Sequence, residues 1–444
     1  MKSVVISMEN VQPSYPTPLH LRNYKLSMLD QIVPPMLVPV ILYFSPSTNI
    51  NIVDPEIFLS QATDSLKRSL SLILTRFYPI AGKISGDGLS IDCNDQGVPF
   101  YVAKITGHKL SDLLKNPDPQ FSKRLVPCEV TLDFELGPGG NLAMIQVNHF
   151  ECGGIAIGAV FWHKVADAMT IGTFLNAWAV AARAESSEPI CPNYISQLLF
   201  PQKEEMQNQT GSLGSLFNKG KALMRRYVFD ASAIGKLKAE SNIKRPTRVE
   251  VVSAHLWKCF MVASLLNGKS ASLVTQAVNL RRRAKPSFPS DCFGNFPGLA
   301  AASSTNENKK ELGHLVKEMR DALNTIDHDF VNRMLGDEGF LGYTENQQRT
   351  WSKIPDGADL LAISSWCSFG LYNVDFGWGK PIWLTRCDVG SDSESSFLNG
   401  VWLMDTRSGD GVEAWVTLDE KYMKIFENVE ELKAYTSKDP SPLD

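Results

Sequence analysis

Apolar side chains recur at three- and four-residue spacing through Phe58, Ala62, Leu66, Leu70, Ile73, Leu74 and Phe77, drawing one stripe along a helix. Asp54-Pro55 starts it, a capping carboxylate followed by proline at the first helical position, and Pro79 ends it. The pattern then predicts strands over 100–105, 142–150 and 155–162 and a helix over 170–184. His163 falls where the last of these strands gives way to that helix. In the second half, 249–266 and 310–326 read as helices, and 271–280, 361–368, 397–404 and 412–418 as strands. Between the halves the character changes. Residues 185–221 are rich in Ser, Gln, Asn, Gly and Lys, with Pro189, Pro192 and Pro201, and read as a long connection. Two α/β domains of similar size are expected, 1–184 and 222–444, joined by 185–221.

Composition narrows the function classes. Forty-four basic and 48 acidic residues leave a net charge of −4, with no run of five or more like charges, so nothing points to nucleic acid. The first eighteen residues hold no apolar core of a secretory signal. The longest apolar run, 36–44, is interrupted by Pro39 and falls short of the roughly 18–20 residues that span a bilayer. Eight cysteines, none in a Cys-x-x-Cys pair, read as reduced and buried. A cytoplasmic protein with no metal and no membrane partner is expected.

The strongest candidate chemistry is His163-Lys164-Val165-Ala166-Asp167. An imidazole with an ordinary pKa near 6.5, at the end of a strand, suits proton removal at physiological pH. Asp167 has two available jobs: to hold the imidazole across a turn, or to pair with a distant arginine and brace the loop. No Gly-x-Ser-x-Gly elbow is present, and no cysteine beside the motif has a second histidine to activate it.

With Phe150-Glu151-Cys152-Gly153-Gly154 upstream and Asp375-Phe376-Gly377-Trp378-Gly379-Lys380-Pro381 downstream, the chain resembles the BAHD family of coenzyme A-dependent acyltransferases. Its His-x-x-x-Asp and Asp-Phe-Gly-Trp-Gly signatures stand a little over 200 residues apart, as here. Tyr24-Lys25-Leu26-Ser27 with Leu29-Asp30-Gln31, Phe77-Tyr78-Pro79-Ile80-Ala81-Gly82, Asp92-Cys93-Asn94-Asp95, Asn279-Leu280-Arg281 and Met404-Asp405-Thr406-Arg407 look like further family landmarks. The wording is most similar to the branch holding vinorine synthase, deacetylvindoline acetyltransferase and the acylsugar acyltransferases.

The resemblance implies two chloramphenicol acetyltransferase-like domains with mixed sheets and a channel between them. It implies transfer of an acyl group, acetyl foremost, from acyl-CoA to a hydroxyl of an alkaloid, terpenoid or sugar. His163 is the expected general base, by direct attack without an acyl-enzyme, in a monomer. Asp167 resembles a brace that pairs with Arg281. Asp375, Gly377, Trp378 and Gly379 resemble a structural loop near the coenzyme end. The basic segment from Lys244 to Glu250 is the candidate coenzyme site, at a predicted helix start that attracts phosphate, and its Thr247 and Arg248 match family positions lining that site; a solvated basic turn with a Thr cap fits the same residues.

Three positions depart from the family pattern. Ala168 stands where many members have Gly. Trp162 stands where relatives carry a small residue, and is a candidate for the acceptor pocket or for the core. Ser368 stands where many have Arg, which argues against an acidic acceptor. A non-catalytic member, an amine-acylating enzyme, a condensation domain and a hydrolase are the alternatives. The condensation domain is disfavoured because Trp162, not a second histidine, precedes His163.

Overall fold

The computed structural model describes residues 2–45, 54–130, 136–183, 190–206, 217–305, 311–352, 355, 357–387 and 395–443. Of the expected connection 185–221, only 190–206 and 217–221 lie among them; the rest lies outside the described residues.

A six-stranded mixed sheet organises the first half, in the order Lys2–Val11, Val98–Thr106, Ala143–Phe150, Ile155–Trp162, Leu37–Phe44, Trp383–Thr385. Helices Pro55–Leu74 and Ala168–Ala182 pack against each other beside it. Asp54 caps the first of these, its Oδ1 accepting from Glu56 N at 2.8 Å. Leu37–Phe44 is buried at every position. A strand covered on both faces shows no alternation, so its apolar run carried no strand signal in the sequence, all the more with Pro39 inside it. The edge strand Lys2–Val11 is the opposite case, exposed along most of its length.

The second half holds a seven-stranded mixed sheet: Pro297–Thr305, Ala271–Asn279, Asp359–Ser365, Gly400–Asp405, Val412–Asp419, Ala222–Phe229, Ser437–Lys438. Helix Arg248–Leu266 is long and apolar enough to cross a membrane, but here it is a core helix, with Val251, Leu256 and Trp257 fully buried. The segment expected as one strand over 397–404 is two. Ser395–Phe397 pairs with Asn218–Gly220, and only Gly400–Asp405 joins the large sheet.

The halves interlock. Trp383–Thr385, late in the chain, pairs antiparallel with Leu37–Phe44 and completes the first sheet. Beside this crossing, buried Arg226 of the second sheet pairs with Glu413 at 3.1 Å and lies 4.8 Å over the Trp383 ring. Trp383 Nε1 also donates to Glu413, at 3.3 Å. A buried charge pair is tolerable when further donors satisfy the carboxylate.

Candidate active site

Strand Ile155–Trp162 keeps its pairing one residue further, where His163 N donates to Met36 O at 2.8 Å. A tight turn follows, closed by Val165 N to Trp162 O at 3.1 Å. Asp167 then caps helix Ala168–Ala182, its Oδ1 accepting from Thr170 N at 2.9 Å. Strand end, turn and cap thus place His163 and Asp167 on one corner, with their side chains turned to different partners.

Asp167 faces the second half of the molecule. Arg281 Nη1 donates to its Oδ2 at 2.6 Å, Arg281 Nη2 to its Oδ1 at 3.2 Å, and Phe296 N to Oδ2 at 3.1 Å. The Arg281 side chain is only 1% exposed. Its Nη2 also donates to Cys292 O and Gly294 O, at 2.8 and 3.0 Å, and its guanidinium lies 4.2 Å over the Phe296 ring. Of the two jobs open to this carboxylate, the geometry is that of the brace.

The imidazole is held instead by Asn295. Asn295 Nδ2 donates to Asp30 Oδ1 at 2.9 Å and to His163 O at 2.8 Å, so the amide nitrogen is fully engaged. Its Oδ1 is left facing His163 Nδ1 at 3.2 Å. An amide oxygen only accepts, so Nδ1 carries the proton and Nε2 keeps its lone pair. Burial lowers the His163 pKa below its ordinary value, which keeps the ring neutral at pH 7. Asp30, fully buried, accepts from Ser27 N, Ser27 Oγ, Asn295 N and Asn295 Nδ2, at 2.9, 2.7, 2.8 and 2.9 Å. Gly294, at φ 105°, brings this backbone against Asp30; a Cβ there would sit 3.2 Å from Asp30 Oδ1.

His163 and Asn295 open onto a cavity of about 260 Å³ lined from both halves. Val33, Pro34, Phe296, Leu299, Phe330 and Met334 make most of its wall apolar; Tyr343, Asn346 and Gln347 of helix Gly339–Trp351 contribute a polar strip. The Asp375–Gly379 loop is not part of this wall. Asp375 Oδ1 accepts from Gly377 N and Gly379 N, at 2.8 and 3.0 Å, and both glycines have φ above 100°. The loop's aromatic rings pack into the first core: Phe376 lies 4.9 Å from Trp178, and Trp378 lies 6.2 Å from Phe44 and 6.3 Å from Phe58.

A profile described as the Transferase family matches residues 1–433. The chain is 39% identical to epi-neemfruitin B 7-O-acetyltransferase of Melia azedarach, over the full length of both. It is 37% identical to limonoid 7-O-acetyltransferase of Citrus sinensis, again over both full chains. The crystal structure of vinorine synthase superposes with a TM-score of 0.82 at 32% identity, covering 98% of this chain and 99% of that one. The chain belongs to the BAHD acyltransferase family. It is an acyl-transferring enzyme with the two-sheet, chloramphenicol acetyltransferase-like fold, and BAHD members draw their acyl group from acyl-CoA.

The remaining candidates fall in different places in this BAHD fold. Thr247 caps helix Arg248–Leu266 in a capping box with Glu250: Thr247 N donates to Glu250 Oε2 at 2.8 Å, and Glu250 N to Thr247 Oγ1 at 3.1 Å. Arg248 is engaged by Asp405 and by the carbonyl of Gly409. Two carboxylates therefore stand at this helix start, and exposed Lys244 is the cation of the three candidates with no ion pair among the described residues. Ser368 is exposed, sits at φ 66°, and donates its N–H to Asp405 at 2.7 Å. It does not line the cavity; Ser364, Ser365, Trp366 and Phe369 do. Trp162 is 3% exposed in the first core and also stands off the cavity. Neighbouring positions of an extended chain face opposite sides, so the residue beside His163 turns away from it. Among the described residues no cluster of His, Cys, Asp and Glu is placed to hold a metal.

Sequence reasoning missed Asn295, and it gave Asp30, which stands in a family landmark, no role at the site. Ser27-x-x-Asp30 does carry capping-box spacing, and the box forms. Its link to Asn295, 265 positions away, has no local signature.

Proposed function

We propose that this enzyme moves an acetyl group from acetyl-CoA to a hydroxyl of a neutral, polycyclic plant metabolite, with His163 as general base. The observation that carries the reading is the His163 ring: Nδ1–H is held by Asn295, Nε2 is bonded to no described residue, and the residue lines the cavity. Nε2 takes the proton of the acceptor hydroxyl as its oxygen attacks the thioester carbonyl. The imidazolium then returns that proton to the departing thiolate. Proton transfer of this kind contributes on the order of 10²–10⁴-fold, and joint positioning of the two substrates supplies much of the remainder. No acyl-enzyme is needed. The cavity's Ser365 Oγ accepts from Cys367 N at 3.4 Å, and no hydrogen bond among the described residues joins it to a histidine that could activate it. Asp167 and Arg281 hold the corner in place, and Lys244 and Thr247 meet the coenzyme's phosphates.

The wall chemistry favours a terpenoid-like acceptor. Asp167 is the carboxylate on this wall, and Arg281 already balances it. A protonated amine would enter an apolar site without a counter-charge, at a desolvation cost a neutral alcohol avoids. A relative named as a limonoid 7-O-acetyltransferase supports the same reading.

The test is purified protein with acetyl-CoA and a panel of terpenoid, alkaloid and sugar alcohols, following thiol release and ester mass together. We expect ester from neutral polycyclic alcohols, lost by about 100-fold or more in His163→Ala with an unchanged melting temperature. Ester formation that survives His163→Ala removes the base from the mechanism; thiol release without ester points to hydrolysis.

A further inference from the structure

The polar strip on helix Gly339–Trp351 has a direction. Trp351 Nε1 donates to Gln347 Oε1 at 2.9 Å, and Gln347 Nε2 donates to the Tyr343 hydroxyl oxygen at 2.8 Å. Positions 343, 347 and 351 stack on one face of the helix at four-residue spacing. An indole N–H can only donate. It therefore fixes which end of the Gln347 amide faces it, and the amide's NH₂ is turned to Tyr343. The phenol oxygen already accepts there, and Gln347 is Tyr343's one hydrogen-bond partner among the described residues. Its own O–H is left for the cavity that it lines. Burial raises the Tyr343 pKa, so the group stays a donor across the neutral range. Asn346, beside it on the wall, accepts from Arg349 Nη2 at 3.2 Å through its amide oxygen, and its amide N–H groups have no acceptor among the described residues. This strip therefore offers donors to a substrate otherwise surrounded by apolar side chains.

We propose that Tyr343 is a specificity-determining donor that binds a second oxygen of the alcohol substrate, a ring carbonyl or ether oxygen remote from the hydroxyl that is acylated. The enzyme then selects oxygenated polycyclic alcohols over their deoxygenated counterparts. This rests on the reading of the cavity as the acceptor site, and the test separates the two.

Wild type, Tyr343→Phe and Trp351→Phe are assayed at saturating acetyl-CoA. The acceptors are matched pairs of steroidal secondary alcohols, each pair differing only by one ring carbonyl whose position is varied across the set. Binding of the same pairs is measured by calorimetry. Wild type is expected to favour the carbonyl member of at least one pair by about five- to tenfold in kcat/KM, the scale of one hydrogen bond. Tyr343→Phe brings that ratio close to one. Trp351→Phe frees the amide to turn and lowers the ratio by a smaller factor. No preference in any pair, or a preference that survives Tyr343→Phe, overturns the proposal. So does an effect of Tyr343→Phe confined to the KM for acetyl-CoA, measured separately by varying the thioester at fixed acceptor, which would assign the donor to the thioester. A protein that prefers the carbonyl member in binding but forms no ester fails the transferase reading and upholds the donor.

Discussion

Two carboxylates belong to this chain's two signature motifs, Asp167 at the end of one and Asp375 at the head of the other, and they work over different distances. Asp167 reaches out of the first half to Arg281 and Phe296 of the second, tying the two walls of the cavity together at the base. Among the described residues the Asp375 carboxylate reaches no further than Gly377 and Gly379 of its own loop, and the loop's aromatic rings fill a core away from the cavity. Salience in a sequence therefore does not separate a corner that positions chemistry from a loop that holds its own shape. What separates them is where the carboxylate's hydrogen bonds go.

The contrast predicts unequal costs. Asp167→Ala leaves an Arg281 side chain that is 1% exposed without its charge partner and removes a helix cap. Breaking such a pair costs roughly 3–5 kcal/mol, so melting temperature and activity should fall together in a thermal and kinetic comparison with wild type. Asp375→Ala removes two local hydrogen bonds on a partly exposed loop, about 1–2 kcal/mol, and kcat per folded molecule should hold at a permissive temperature. If Asp375→Ala abolishes turnover in protein shown by circular dichroism to be folded, the loop belongs to the chemistry and the contrast is wrong.

A smaller effect sharpens the same corner. Burial lowers the His163 pKa, so the base is in its working form throughout the neutral range. The acid limb of kcat/KM against pH should have its midpoint below the ordinary histidine value of about 6.5. A midpoint above 6.5 would mean that the ring is stabilised as a cation, against the Asn295 arrangement.

Much of the fold was legible because it is local. The stripe from Phe58 to Phe77 and the Asp54 cap are read off spacing alone, and helix Pro55–Leu74 follows. The misses have physical causes. Leu37–Phe44 lacks alternation because both its faces are covered. Trp383–Thr385 is three residues long and owes its place to a partner strand more than three hundred residues earlier. At the site, the strand–turn–helix around His163 was legible from periodicity. The partner of its imidazole was not, since Asn295 lies 132 positions away. Trp162 and Ser368 drew notice by departing from a family pattern, but pattern carries no direction. One faces the core and the other braces a turn through Asp405. Arg248 is a similar lesson: its position matches, yet its charge is already engaged.

The account rests on one ring, and nitrogen-15 NMR of His163 in the folded enzyme at pH 7 reads it directly. The arrangement with Asn295 predicts a neutral imidazole with its proton on Nδ1 and an unprotonated Nε2 toward the cavity. A proton on Nε2, or a doubly protonated ring, would contradict it.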